Sequence, residues 1–182
     1  MDNAQLLIKL FNHGLGQATQ TRLLHGQDEP LYLPADQYCP YHRIYFAHGF
    51  VASALHELAH WCQAGPARRL QVDYGYWYEA DGRTAQQQQR FEAHEAKPQA
   101  IEWYLSLAWG RTFDVSADNL SLETDRPAFR RAVQAAAQAY CHCGWPTRAV
   151  QLARDMACLG QGHIAEEQDF YWPEEKLCSN WD

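Results

Sequence analysis

Apolar side chains recur along this chain with two different periods, and the period predicts the element. Between Arg43 and Gln63, a stretch without proline, Phe46, Phe50, Ala54, Leu58 and Trp61 return at steps of three or four. That spacing predicts a helix, which Gly65-Pro66 ends. From Leu70 to Glu79 the step is two. Val72, Tyr74, Tyr76 and Tyr78 alternate with other residues and Asp81-Gly82 closes the run, the pattern of a short strand or hairpin arm. Upstream, Gly26, Asp28, Pro30, Pro34, Asp36 and Pro40 mark a loop with room for one strand at Leu31-Tyr32-Leu33.

Thr84 is placed to cap a helix running through Phe91 and Glu95, in which Gln86 to Gln89 would form a solvated face. Pro98 lacks a backbone donor and should kink or restart that helix before Ile101 to Trp109. Pro127 to Cys143 and Pro146 to Leu159 each begin at a proline and end near a glycine, as helices often do. The expected class is mainly α with a small β element, α+β. The 182 residues fit one domain over 1–182, at about 100–200 residues per domain.

Composition narrows the picture further. With 47% apolar, 13% aromatic and 20% charged residues, the chain is neither disordered nor a collagen-like repeat nor a charged coiled coil. Fifteen Lys+Arg against 22 Asp+Glu leave a formal charge of −7, so no broad positive field gathers nucleic acid or an anionic membrane. The N-terminus lacks a basic start and an unbroken apolar stretch, and no run of about eighteen uncharged apolar residues follows; a cytoplasmic protein is expected. Its six cysteines are then expected to be free thiols. Cys141-His142-Cys143, with Cys158, His163 and Cys178, lacks the C-x2–4-C spacing of a structural zinc site.

The sharpest chemical signal is His56-Glu57-Leu58-Ala59-His60, an H-E-x-x-H inside the segment read as helical. Residues four apart share a helix face with Cβ atoms about 5–6 Å apart, so two imidazoles can turn toward one ion at about 2.1 Å. A third ligand must come from elsewhere. Phe91 to Trp103 offers Glu92, His94, Glu95 and Glu102. Glu95 and Glu102 lie one heptad apart and spacing does not separate them; Glu95 is the preferred ligand, with Glu102 an orienting partner or alternate.

Two histidines and a carboxylate serve both zinc hydrolases and non-haem iron(II) oxygenases. Glu57 would act as general base on bound water in a zinc peptidase, and as an orienting or proton-handling group in an oxygenase. No histidine has Asp or Glu two positions on and only one E-x-x-H occurs, which disfavours jelly-roll 2-oxoglutarate oxygenases and di-iron bundles. The signatures G-x-x-x-x-G-K-[ST], G-x-G-x-x-G and G-x-S-x-G are absent.

Three stretches together resemble the bacterial elongation factor P hydroxylases over nearly the whole chain. They are Ser53 to Trp61, Asp73 to Tyr78 with Asp81-Gly82-Arg83, and Phe91-Glu92 with Lys97 to Trp103. The resemblance implies a metal-dependent monooxygenase using iron(II), with zinc or another divalent ion able to substitute in vitro, together with dioxygen and a reductant that the sequence does not identify. It implies elongation factor P as protein substrate, hydroxylated after a lysine at its loop tip has received a β-lysyl group. It carries the metal ligands onto His56, His60 and Glu95. Such a dicationic arm would need carboxylates or aromatic faces, for which Asp73, Tyr76, Trp77 and Glu79 are candidates. The competing reading is a zinc metallopeptidase of the H-E-x-x-H plus Glu type.

Overall fold

A computed structural model of the chain describes residues 3–26, 29–75, 84–116, 126–159 and 161–172. The first helix, α1 (Asn3–His13), buries Ala4, Leu7 and Phe11, the i, i+3, i+7 stripe of one helical face, and a four-residue turn, α2 (Leu15–Ala18), follows it. Three short strands, β1 (Thr21–His25), β2 (Leu31–Leu33) and β3 (His42–Phe46), form a sheet ordered β1-β3-β2. β1 runs parallel to β3, with Leu23 opposite Ile44, and β2 runs antiparallel to it, with Tyr32 also opposite Ile44. Leu23, Tyr32 and Ile44 therefore line up on one buried row that faces the helices.

Helix α3 (Val51–Gln63) follows the sheet directly, and α4 (Ala85–Trp109), α5 (Arg126–Cys143) and α6 (Thr147–Ala157) complete the helical layer. α4 is the organising element, since it packs against α3, α5 and α6. Its first half is polar and largely exposed. Its second half buries Ala100, Ile101, Trp103, Tyr104, Leu105, Ala108 and Trp109, all round the helix, as expected of one surrounded by others. Phe11 of α1 meets Trp61 of α3 edge to face at 5.2 Å, joining the sheet side of the core to the helical side. The class is mainly helical with a small sheet, as the periodicity predicts.

Several elements fall where the sequence places them: the strand at Leu31–Leu33, the two C-terminal helices and the Thr84 cap. Thr84 Oγ1 accepts from the Gln87 backbone N–H at 3.3 Å while Gln87 Oε1 accepts from the Thr84 N–H at 2.8 Å, a reciprocal capping box. Pro98 lies inside α4, which runs from Ala85 to Trp109 without a restart.

Three expectations are corrected. The helix expected over Arg43–Gln63 is a strand, β3, followed by helix α3. Ile44 and Phe46 are fully buried between the less buried Arg43 and Tyr45, a period of two, and the chain turns at His48 and Gly49, with φ of 53° and 71°. The strand expected from Leu70 is, over its described part, a pair of 3-10 turns, Arg68–Leu70 and Val72–Gly75. Asp73, Tyr74 and Gly75 all take positive φ, and three such residues in a row are incompatible with an extended strand. Residues 76–79 of that expected strand lie outside the described residues. In the glutamine run, Gln86, Gln87 and Gln89 are exposed as expected, but Gln88 is buried and donates to Glu92 Oε1 at 3.0 Å.

Cys39, Cys62, Cys141, Cys143 and Cys158 are free thiols; Cys178 lies outside the described residues. No described helix is long and apolar enough to cross a membrane.

Candidate metal centre

One turn of α3 separates His56 from His60, and their rings meet edge to face at 4.7 Å, with the two Nε2 atoms 3.1 Å apart. From α4, Glu95 brings Oε1 to 3.4 Å from His60 Nε2 and Oε2 to 3.6 Å from His56 Nε2. The ligand atoms of these three residues all lie within 4.8 Å of one another. Donors bound to a common ion at about 2.1 Å sit about 3.0–3.4 Å apart on its coordination shell. The observed triangle therefore has nearly the size that one ion requires.

The polar groups also carry unsatisfied demand. Glu95 is 3% exposed, and its Oε2 has no hydrogen-bond partner among the described residues. A buried carboxylate oxygen without a partner costs free energy, which a bound cation would recover. Burial works to raise the Glu95 pKa, but His60 and His56, aided by Gln99, outweigh it and hold the carboxyl at about 2. Glu95 is thus an ionised acceptor wherever the protein is folded near neutrality.

Glu102, two turns further along α4, sets the orientation of His56. Its Oε2 lies 2.9 Å from His56 Nδ1, so Nδ1–H donates to the carboxylate and Nε2 is the nitrogen that faces Glu95 and His60. Burial opposes charge on this imidazole, but Glu102, followed by Glu95 and Glu57, raises its pKa well above the ordinary value. Glu57 is buried on the same turn of α3, and burial pushes its carboxyl pKa up against the opposing pull of His56 and His60.

Two openings reach this group. On the His60 and Glu95 side lies a cavity of about 150 Å³, also lined by Gln63, Arg68, Tyr74 and His94. On the His56 side lies a pocket of about 340 Å³, lined by His48, Ser53, Glu57, Glu102 and Ser116 among others.

Tyr74, read from the sequence as one member of an alternating aromatic run, forms one wall of the smaller cavity. Its ring lies nearly parallel to that of His60 at 6.4 Å and stacks on Tyr32 at 4.1 Å. The residue is 4% exposed and its hydroxyl has no hydrogen-bond partner among the described residues. Burial raises its pKa well above the ordinary value, so the phenol keeps its proton. The left-handed backbone at Asp73 and Tyr74 is held from both sides. Asp73 Oδ1 accepts from the Tyr32 N–H at 2.7 Å, and Arg68 Nη1 donates to the Tyr74 carbonyl at 3.0 Å. The run Asp73-Tyr74-Gly75, an aromatic flanked by two turn-forming residues, is the signal that could have marked it.

Of the candidates from the sequence, His56, His60 and Glu95 converge, Glu102 stands behind His56, and Glu57 faces the larger pocket. Glu92 is turned to Gln88, and His94 Nδ1 contacts the Arg90 carbonyl at 2.7 Å, so neither joins the triangle. Asp73 is bound to the β2 backbone, and Tyr76, Trp77 and Glu79 lie outside the described residues.

Comparison with known proteins gives two findings. Residues 10–170 match the family described as elongation factor P hydroxylase. The elongation factor P lysine hydroxylase of Haemophilus influenzae is 48% identical over 154 residues, covering 84% of this chain and 86% of that protein.

Proposed function

The chain belongs to the elongation factor P hydroxylase family, and from that premise we propose that it is a metal-dependent, non-haem iron monooxygenase acting on the β-lysylated lysine of elongation factor P. The observation that carries the metal dependence is the triangle of His56, His60 and Glu95, with a buried Glu95 oxygen that no other described residue satisfies. Those three residues would hold iron(II). Bound there, the metal supplies activation of dioxygen, with two electrons and two protons from a reductant so that one oxygen enters a C–H bond and the other leaves as water.

The chain's own groups do the rest. Glu102 holds the His56 Nδ1 proton and so keeps Nε2 available as a ligand atom. Glu57, buried beside the histidines with its carboxyl pKa pushed up, takes and returns a proton at its carboxylate in the larger pocket. Tyr74 lines the smaller cavity, and its hydroxyl would serve as a donor for a polar atom of the incoming arm. Asp73 spends Oδ1 on Tyr32, and its Oδ2, with Glu79 and the faces of Tyr76 and Trp77, receives the cationic β-lysyl arm. The buried walls exclude bulk water from the reacting carbon.

Intact-mass analysis of β-lysylated elongation factor P tests this reading. Aerobic incubation with iron-loaded protein and a reductant should add one oxygen atom, and the anaerobic control none. No gain at verified metal occupancy would overturn it, and peptide cleavage without oxygen would favour the zinc peptidase instead.

A further inference from the structure

A second pocket, of about 350 Å³, opens on the other side of the 65–75 segment and is lined by Thr19, Thr21, His42, Arg69, Leu70 and Arg148 among others. Successive side chains of that segment part here: Arg68 and Tyr74 line the cavity beside His60 and Glu95, while Arg69 and Leu70 line this one.

Two guanidinium groups share this pocket, and among the described residues neither forms an ion pair with a carboxylate. Both are anchored to backbone carbonyls. Arg69 Nη1 donates to Ala64, and Arg148 Nη1 donates to Trp61 at 3.3 Å while its guanidinium lies 4.2 Å over the Trp61 ring. Holding two like charges in one partly buried pocket is unfavourable unless an anion visits. The facing groups register this field: burial and then Arg69 lower the Arg148 pKa, and burial, Arg69 and Arg148 lower that of His42. The Ala35 N–H donates to His42 Nδ1 at 3.1 Å, which fixes this neutral imidazole with its proton on Nε2, a further donor. Leu70 and Pro66 add an apolar part to the lining, and Leu70 is 71% exposed.

We propose that the Arg69–Arg148 pocket binds a carboxylate side chain of the protein substrate and docks it with its modified lysine aimed at the neighbouring cavity. This rests on the function proposed above. The chain carries a net −7, so attraction to a carboxylate of its partner must be local, and this pocket supplies it on the segment whose other side lines the cavity beside His60 and Glu95. Arg is suited to the task because its planar fork pairs with both carboxylate oxygens.

The test compares intact β-lysylated elongation factor P with a short peptide carrying the same modified lysine, using wild type, Arg69→Gln and Arg148→Gln, each checked for folding by thermal melting. Each variant should raise KM for the intact protein about tenfold with kcat unchanged, and weaken its dependence on salt. Peptide turnover should stay as in wild type. Unchanged KM for the intact protein overturns the docking site, and equal losses on protein and peptide overturn it too. If wild type turns over neither substrate, the hydroxylase reading has failed separately. The docking site is then judged by binding of the metal-free protein to the modified substrate, where equal affinity of wild type and Arg148→Gln rejects it.

Discussion

His56 Nδ1 and Glu102 Oε2 lie 2.9 Å apart although 46 positions separate them in sequence, and this contact decides which nitrogen of the histidine faces Glu95. A neutral imidazole offers one lone pair, and the carboxylate claims the proton on the opposite side. Glu102→Gln keeps the shape but removes the charge that fixes this tautomer. Iron(II) or zinc affinity, measured against a competing chelator, should fall about 10–100-fold. Unchanged affinity would show that Glu102 does not orient the ligand.

Metal binding should itself stabilise the fold, because the triangle of donors exists only in the folded chain. An ion at a hundred times its Kd contributes about 2.7 kcal/mol, and a chain of this size gains about 2–4 °C in Tm per kcal/mol. Titrating iron(II) anaerobically should therefore raise Tm by about 5–10 °C, and a chelator should reverse the shift. Glu95→Gln should melt cooperatively but show no such rise. A rise equal to that of wild type would remove Glu95 from the ligand set.

The meeting of His56 and His60 was legible because one physical rule governs it: residues four apart on a helix meet, and an H-E-x-x-H there places two imidazoles together. Thr84 and Gln87 were legible for a similar reason, since a cap is local chemistry. What escaped was set by backbone conformation that composition does not encode. Phe46 fits both the helical step on to Phe50 and the strand step back to Ile44, and the turn at His48 and Gly49 decides between them. Tyr74 reads as one member of an alternating aromatic run, yet its left-handed backbone swings the ring under His60. Spacing also could not separate Glu95 from Glu102. The approach of α4 to α3 does so, putting one against the ring nitrogens that face inward and the other behind His56.

Asp114 predicts a pH dependence away from the metal. Burial works to raise its pKa, but Arg130, the Val115 N–H and Arg126 outweigh that and hold the carboxyl below its ordinary value. Arg130 grips it at both oxygens, at 3.0 and 2.9 Å, which ties the segment after α4 to α5. A depressed folded pKa contributes stability that is present above the unfolded value near about 4 and lost as pH falls through the folded one. The pair is 41% and 23% exposed, so solvent screening keeps the effect to about 0.5–1 kcal/mol. Asp114→Asn should lower Tm by about 1–4 °C at pH 7 in low salt, and the difference from wild type should close below the folded pKa. A gap that persists unchanged in acid would assign it to packing instead.

Tyr74 sets stability against function within one side chain. Its hydroxyl is buried without a hydrogen-bond partner, at a position whose backbone is already strained. An unpaired buried hydroxyl costs about 1–3 kcal/mol, so Tyr74→Phe should stabilise the metal-free protein by about 1 kcal/mol, read as a higher Tm. The ring stacking on Tyr32 and His60 survives the change, and metal affinity should stay as in wild type. If the hydroxyl donates to the substrate arm, turnover of modified elongation factor P should fall about tenfold or more, with the loss in KM if the contact forms on binding and in kcat if it forms only as the reaction proceeds. A more stable variant with wild-type turnover would leave the phenol without a role. A less stable one would mean that the oxygen has a structural partner in solution.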